Sequence, residues 1–112
     1  MKFNLTTLAI LSATAVISCS VHAASGNAEA GAKKAETCKA CHGEGGAKPI
    51  LPEYPVLAGQ QEDYLIAALN QYKSGKRKNA IMKGLAAALS PQDIRDLAAY
   101  FSKEQSNLRM KY

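Results

Sequence analysis

The segment Cys38-Lys39-Ala40-Cys41-His42 constrains this chain more than any other part of its sequence. Two thiols three positions apart on a helical turn are placed to add to the two vinyl groups of one porphyrin. The histidine that follows is then carried under the macrocycle, where an imidazole nitrogen can bind iron. Cys-x-x-Cys-His is the attachment pattern of c-type haem, so the sequence predicts one covalently bound haem c.

The first 23 residues are typical of a secretory signal peptide. Lys2 supplies the positive start, the run from Leu5 to Ile17 is apolar and uncharged, and small residues precede Ala23. The run is shorter than the roughly 20 residues that a membrane span needs. We expect cleavage after Ala23, which leaves one domain over residues 24–112. Export disfavours the two other interpretations of a Cys-x-x-Cys pair, which are a cytosolic thioredoxin-like motif and half of a zinc site.

The third cysteine of the sequence, Cys19, lies in the predicted signal peptide. The residues Val16-Ile17-Ser18-Cys19 also match a lipoprotein cleavage box, in which case Cys19 would carry lipid and anchor the protein. In the other interpretation, Cys19 is an ordinary residue of a discarded peptide. Either way Cys38 and Cys41 remain for haem, and no disulfide framework is expected.

The size of the chain makes its core depend on the cofactor. Removal of 23 residues from 112 leaves 89, which is one small domain. Such a chain is marginal on its own core, so we expect side chains to pack around the haem and the apoprotein to fold poorly. Loss of Lys2 lowers the formal net charge from +5 to +4. That charge, on an exported protein, does not indicate nucleic-acid binding.

Local patterns predict an all-α protein. Residues 27–38 are rich in good helix formers and Asn27 can cap them. Gly31 in this helix suggests close approach of another helix, the alternative being a weak spot without a role. Residues 61–74 form an amphipathic pattern that Gly75 ends. Its predicted buried stripe consists of Tyr64, Leu65, Ala68, Leu69 and Tyr72.

The last helix has a clear start. Ser90 is the predicted cap, Pro91 occupies the first helical position, and Asp93 completes a variant of the capping box. The apolar stripe that follows consists of Ile94, Leu97, Ala98 and Phe101. Between these helices, residues 43–60 predict a loop rich in glycine and proline, and residues 76–89 are mixed. No segment alternates with a two-residue period, so no strand is expected.

A second iron ligand decides whether the haem is closed or open. Beyond Ala23 the chain offers two methionines, Met82 and Met110. Met110 is near the C-terminus in a polar tail, whereas Met82 lies between two predicted helices, where a loop can bring it over the distal face. A methionine paired with histidine favours ferrous iron. The alternative is that Met82 only fills the core.

Taken together, these segments resemble the class I cytochromes c, most closely the small bacterial monohaem members and one half of the dihaem members. The matching residues are Cys38 to Gly43, Pro55 to Gln60, Tyr64-Leu65, Gly75-Lys76-Arg77, Met82, Leu89 to Ile94 and Leu97 to Phe101. The resemblance implies a small class I cytochrome c fold, with three to five helices wrapped around one haem. The chain lacks a second haem motif and the extra cysteine pair of some monohaem relatives.

The resemblance also implies a role for each matching residue. Cys38 and Cys41 would be the thioether links, and His42 and Met82 the proximal and distal iron ligands. The carbonyl of Pro55 would accept the ring N–H of His42. Further implied contacts are those of Leu57 with the haem, Gly31 with Leu97 and Tyr100, and Arg77 and Gln60 with the propionates.

The implied function is that of a periplasmic one-electron carrier in a respiratory chain, not an enzyme. Two alternatives stay open: a relay subunit docked on a larger dehydrogenase, and a haem peroxidase or small-ligand binder. We expect redox-protein partners with acidic surfaces, no transmembrane span, and a monomer or weak dimer. A set of basic residues forms either a rim that steers such partners or an ordinary solvated face. Its members are Lys39, Lys73, Lys76, Arg77, Lys78 and Lys83.

Overall fold

Five α-helices make up the part of the chain that the structure, a computed structural model, describes, which is residues 25–106 and 108. They are α1 (Ala28–Lys34), α2 (Glu36–His42), α3 (Glu62–Ser74), α4 (Ala80–Ala87) and α5 (Pro91–Lys103), with a 3₁₀ turn at Glu44–Gly46. No strand occurs in these residues, so the all-α prediction is confirmed. None of these helices has the length and apolar character to cross a membrane. The predicted signal peptide, Cys19 and Met110 lie outside the described residues.

The first predicted helix is in fact two helices. Asn27 caps α1 as expected, since its side chain accepts the N–H of Ala30 at 2.9 Å. The helix is interrupted at Ala35, which is fully buried and ends α1 where α2 begins. The predicted end at Cys38 is wrong. Helix α2 continues to His42, because the first residue that favours a non-helical backbone is Gly43, with a φ of 80°.

Helices α1 and α5 cross at very short range. A Cβ added to Gly31 would lie 2.0 Å from the carbonyl oxygen of Asp96 and 2.8 Å from the Cβ of Tyr100. Only a residue without a side chain fits there, so the predicted role of Gly31 in a close helix approach is confirmed. Leu97, one turn from this contact, is 1% exposed.

A buried carboxylate fastens the two helices together. Asp96 is 3% exposed, and its Oδ1 accepts hydrogen bonds from the backbone N–H of Asn27 and the side chain of Gln92, both at 2.8 Å. The Nζ of Lys34 lies 2.6 Å from both Asp96 and Asp93. These bonds to the ionised form lower the pKa of Asp96 to about 2, with Lys34 as the main cause.

Helix α5 supplies most of the core. Its predicted capping box is present, with the N–H of Asp93 on the Ser90 hydroxyl and the N–H of Ser90 on the Asp93 carboxylate. The predicted stripe is buried, and its members are Ile94, Leu97, Ala98 and Phe101. From α3, Leu65 is buried and Leu69 packs beside it. Tyr64 was expected in that stripe but is 47% exposed, because its hydroxyl accepts a hydrogen bond from Arg77 at the surface.

The long loop between α2 and α3 is tied back onto the core. The carbonyl of Gly46 accepts the N–H groups of Leu57 and Ala58, at 2.8 and 3.1 Å. The N–H of Gly59 bonds to the carbonyl of Phe101 at 2.9 Å. The loop therefore folds over the end of α2, where His42 lies.

Candidate functional site

Helix α2 presents both thiols and the imidazole of the haem motif from its second half. Cys38 and Cys41 are half-buried free thiols, and His42 is the last residue of the helix, 6% exposed. Before haem is attached, burial raises the pKa of the Cys38 thiol. The three side chains thus come from one rigid element.

The orientation of the His42 ring is set by the loop. Its Nδ1 lies 2.8 Å from the carbonyl oxygen of Pro55, the contact that the resemblance implies. A carbonyl only accepts, so Nδ1 carries the proton and donates. In the neutral ring this leaves the lone pair that a metal requires on the other nitrogen, Nε2. The ring of Tyr54 lies beside it, with centroids 6.2 Å apart.

Leu57 belongs to the same loop. It is half-buried and packs against the core cluster of Ala35, Leu65, Leu97, Ala98 and Phe101. Its implied contact with haem remains a prediction. Gln60, implied to reach a propionate, donates to the carbonyl of Val56 at 3.1 Å.

Met82 lies on a helix and not in the loop that the sequence pattern suggested. It occupies the first turn of α4 and is half-buried. The side chain of Asn79 caps this helix by accepting the backbone N–H of Met82 at 2.9 Å. Sequence reasoning missed Asn79, although an asparagine before an apolar segment is a recognised helix start.

The cationic side chains divide into paired and exposed ones. Lys39 is 17% exposed and forms salt bridges with Glu36 at 2.9 Å and Glu44 at 3.0 Å, which raise its pKa. Its inclusion in a basic rim is therefore wrong, because two carboxylates neutralise it. Lys73 donates to the carbonyl of Leu89. Arg77 donates to the hydroxyl of Tyr64 at 3.3 Å.

The remaining rim cations surround the start of α4. Lys76, Lys78 and Lys83 are exposed. Lys78 and Lys83, together with Arg77, line a cavity at the start of the helix, close to the Asn79 cap. Three exposed lysines thus lie near the turn that carries Met82.

The residues present fit a haem. The thiols of Cys38 and Cys41 on α2 match the two covalent links to haem. One ring nitrogen of His42 is bonded to the Pro55 carbonyl, and the other is available to bind iron. The core is thin, since Ile94 and Leu97 are the largest fully buried side chains in the described residues. Other large apolar side chains that a macrocycle could help to cover stay exposed, and they include Tyr64 and Leu85. In residues 25–106 and 108, no group of three or more His, Cys, Asp or Glu could hold a bare metal ion.

Comparison with known proteins agrees with this fit. The model of the cytochrome c family matches residues 28–104. Cytochrome c4 of Pseudomonas aeruginosa is 46% identical over 87 residues, which cover 78% of this chain and 43% of the relative. Cytochrome c-554(548) of Halomonas halodenitrificans is 43% identical over 83 residues, covering 71% of this chain and 99% of the relative.

The fold agrees with a solved structure as well. The crystal structure of reduced cytochrome c4 from Pseudomonas stutzeri superposes with a TM-score of 0.69 at 40% identity, covering 75% of this chain and 48% of that one. The chain thus spans about half the length of the cytochrome c4 relatives and is similar to one domain of these dihaem proteins. With the haem motif, the His42 geometry and the five-helix fold in agreement, the chain belongs to the cytochrome c family and carries covalently bound haem c.

Proposed function

We propose that this cytochrome c is a periplasmic one-electron carrier between redox proteins of a respiratory chain. Electron transfer is what the family implies, and the finer role rests on the placement of Met82. A half-buried methionine on a capped helix is a side chain held in place, as a permanent sixth ligand requires. An iron with two protein ligands has no open site for substrate.

The residues of the chain define what each side of the haem would meet. The bound haem iron supplies a one-electron couple. On the proximal side, the Pro55 carbonyl holds the N–H of His42 and so prevents the ring from rotating when the charge on the iron changes. As the second protein ligand, the neutral thioether of Met82 would favour the ferrous state and raise the potential. No histidine other than His42 follows residue 23, which leaves no distal base for peroxidase chemistry.

The charge distribution supports an acidic partner. Lys76, Lys78 and Lys83 are exposed around α4, where Ile81 is 59% exposed. An apolar centre with a cationic border suits a partner with an acidic border. Attraction between the two mainly raises the association rate and weakens as salt is added.

Substitution of Met82 tests the proposed ligand set. We expect the oxidised wild-type protein to show the weak long-wavelength absorption band of methionine bound to ferric haem, and Met82→Ala to lose it. Met110→Ala is the matched control and should keep the band, since it removes the only other methionine after Met1. Loss of the band in Met110→Ala alone, or its absence from the wild type, would favour ligand binding or peroxidase chemistry over the carrier function.

A pair of charge reversals tests the proposed docking face. Lys76→Glu with Lys78→Glu should slow electron transfer to the anionic oxidant hexacyanoferrate at low salt, and added salt should remove the difference. Lys33→Glu with Lys103→Glu gives the same change in net charge on exposed positions of α1 and α5 and should slow the reaction less. Equal slowing by both pairs would mean that only net charge matters.

Size-exclusion chromatography of the native periplasmic fraction separates a free carrier from a docked subunit. We expect haem absorbance to elute near the mass of the single chain. Elution at the mass of a large complex would replace the free carrier by a relay subunit. Haem confined to the membrane fraction would point to lipid on Cys19.

A further inference from the structure

The loop of residues 48–53 exposes apolar side chains directly beside the haem attachment. Ile50 is 63% exposed and Leu51 is 41% exposed. The backbone N–H of Ile50 donates to the carbonyl of Cys41 at 3.0 Å, so the loop is fixed against the helical turn that carries the second thioether. An apolar surface at this position would lie beside a haem that is attached to Cys41.

The charges at the two ends of this loop are opposite. Lys48 and Glu53 are both exposed, and no salt bridge within residues 25–106 involves either of them. They lie on either side of the apolar pair. An antiparallel arrangement of two such loops about a two-fold axis would place each Lys48 opposite the Glu53 of the other copy, with the apolar side chains between.

We propose that the loop of residues 48–53 is a self-association surface, at which a second copy of this chain binds through a two-fold axis. A redox partner with an acidic border fits this loop less well, because its charges balance and the exposed lysines cluster around α4 instead. In the cytochrome c4 relatives, a domain similar to this one is joined to a further length of chain, since these relatives are about twice as long as the part that matches. Six residues bury a small area, so the pair is transient.

The consequence is electron self-exchange, and this part rests on the proposed carrier function. The two-fold pair would bring the Cys41 turn of each copy, and a haem attached there, toward the other. One electron could then pass from a ferrous copy to a ferric copy, which would leave one ferric and one ferrous copy and would need no other reactant. Close approach of the haem edges makes this exchange faster than random collision would.

Charge reversals in the holoprotein test the geometry. In sedimentation velocity at about 1 mM protein, the wild type should self-associate weakly. Lys48→Glu and Glu53→Lys should each weaken association roughly tenfold, as like charges then face each other. The double variant should regain it, and an equimolar mixture of the two single variants should associate with each other. Monomer throughout, or single variants that behave as wild type, would overturn the proposal.

A second variant separates the surface from the haem and from the electron-transfer role. Leu51→Ser should weaken association and slow self-exchange, measured by NMR line broadening in mixed ferrous and ferric samples, while the absorption spectrum stays unchanged. A changed spectrum with unchanged association would show that the loop packs on haem and would overturn the proposal. Association without fast exchange would keep the surface and reject the carrier function.

Discussion

Asn79 helps to determine the position of Met82 through the backbone. Its side-chain oxygen accepts the backbone N–H of Met82 and begins α4 at Ala80. A helix of eight residues gains little from propensity alone, so its start depends on such a cap. The backbone N–H of the methionine is therefore held by the side chain of a residue three positions earlier.

Replacing this cap should act on both stability and ligation. We expect Asn79→Ala to lower the free energy of unfolding by about 1 kcal/mol. We also expect the absorption band of methionine-bound ferric haem to disappear at a lower temperature than in the wild type. Asn70→Ala, on the exposed face of α3, is the control, because its side chain only reaches back to the carbonyl of Ile66. An unchanged band in Asn79→Ala would show that the pocket, not the cap, holds Met82.

Gly31 and Gly84, two glycines inside helices, show that packing decides whether a glycine stabilises its helix. Gly31 is pressed against the backbone of α5, whereas a Cβ added to Gly84 in α4 meets nothing within 4 Å. Both lie inside helices, where glycine costs conformational entropy. The difference between them lies entirely in packing.

The same substitution should therefore have opposite signs at these two positions. Gly31→Ala should destabilise by about 3 kcal/mol, because α1 and α5 must move apart. Gly84→Ala should stabilise by about 0.5–1 kcal/mol through its helix propensity. Urea unfolding of the two holoproteins measures both values. A mild loss at Gly31 would mean that the crossing is not tight.

The elements that sequence could predict are those with local signals. Ser90, Pro91 and Asp93 specify the start of α5 within four residues, and the structure has it there. The break at Ala35 carries no local signal, since alanine favours helix on both sides, and it results from burial against the core. The pairing of Lys39 with Glu44 depends likewise on how the loop folds back after Gly43.

The site residues also divide into those with a local sequence signal and those without one. The positions of Cys38, Cys41 and His42 are fixed by their spacing on one helix. Met82 is 40 residues away from His42 in the sequence, so the residues alone left open whether Met82 binds iron or fills the core, and the resemblance to a family favoured iron binding.

At the scale of the whole molecule, one carboxylate joins the beginning of the chain to its last helix. Asp96 contacts Asn27, Lys34 and Gln92, so α1 and α5 share one polar cluster. The pKa of Asp96 is lowered from 3.8 to about 2, and that of Asp93 is lowered too. The stability that these ionised carboxylates provide is complete above pH 4 and is lost as the pH falls toward 2.

Acid should therefore loosen the crossing of α1 and α5. We expect the melting temperature of the holoprotein to fall between pH 4 and pH 2, and Asp96→Asn to be less stable at neutral pH with a weaker dependence in this range. Glu29→Gln, in an exposed pair with Lys33, is the control and should follow the wild type. A steep acid transition that Asp96→Asn leaves unaltered would assign the effect to other groups.

The thin core predicts a fold that depends on the haem. In the part of the chain that the structure describes, Ile94 and Leu97 are the largest fully buried side chains, and five of the nine buried hydrophobic residues are alanines. We expect Cys38→Ser with Cys41→Ser, which cannot form thioethers, to give a largely unfolded chain by far-ultraviolet circular dichroism. Met82→Ala keeps both links and should stay helical. A helical, cooperatively melting double variant would show that the core is sufficient alone.

This dependence links the amount of protein to the supply of its cofactor. If the chain folds only with haem, a copy that has not received haem exposes most of its backbone to proteases, whereas a loaded copy unfolds rarely and survives. Degradation therefore removes unloaded molecules without a dedicated sensor. When haem is scarce, the cell contains fewer copies of this protein rather than a store of inactive ones.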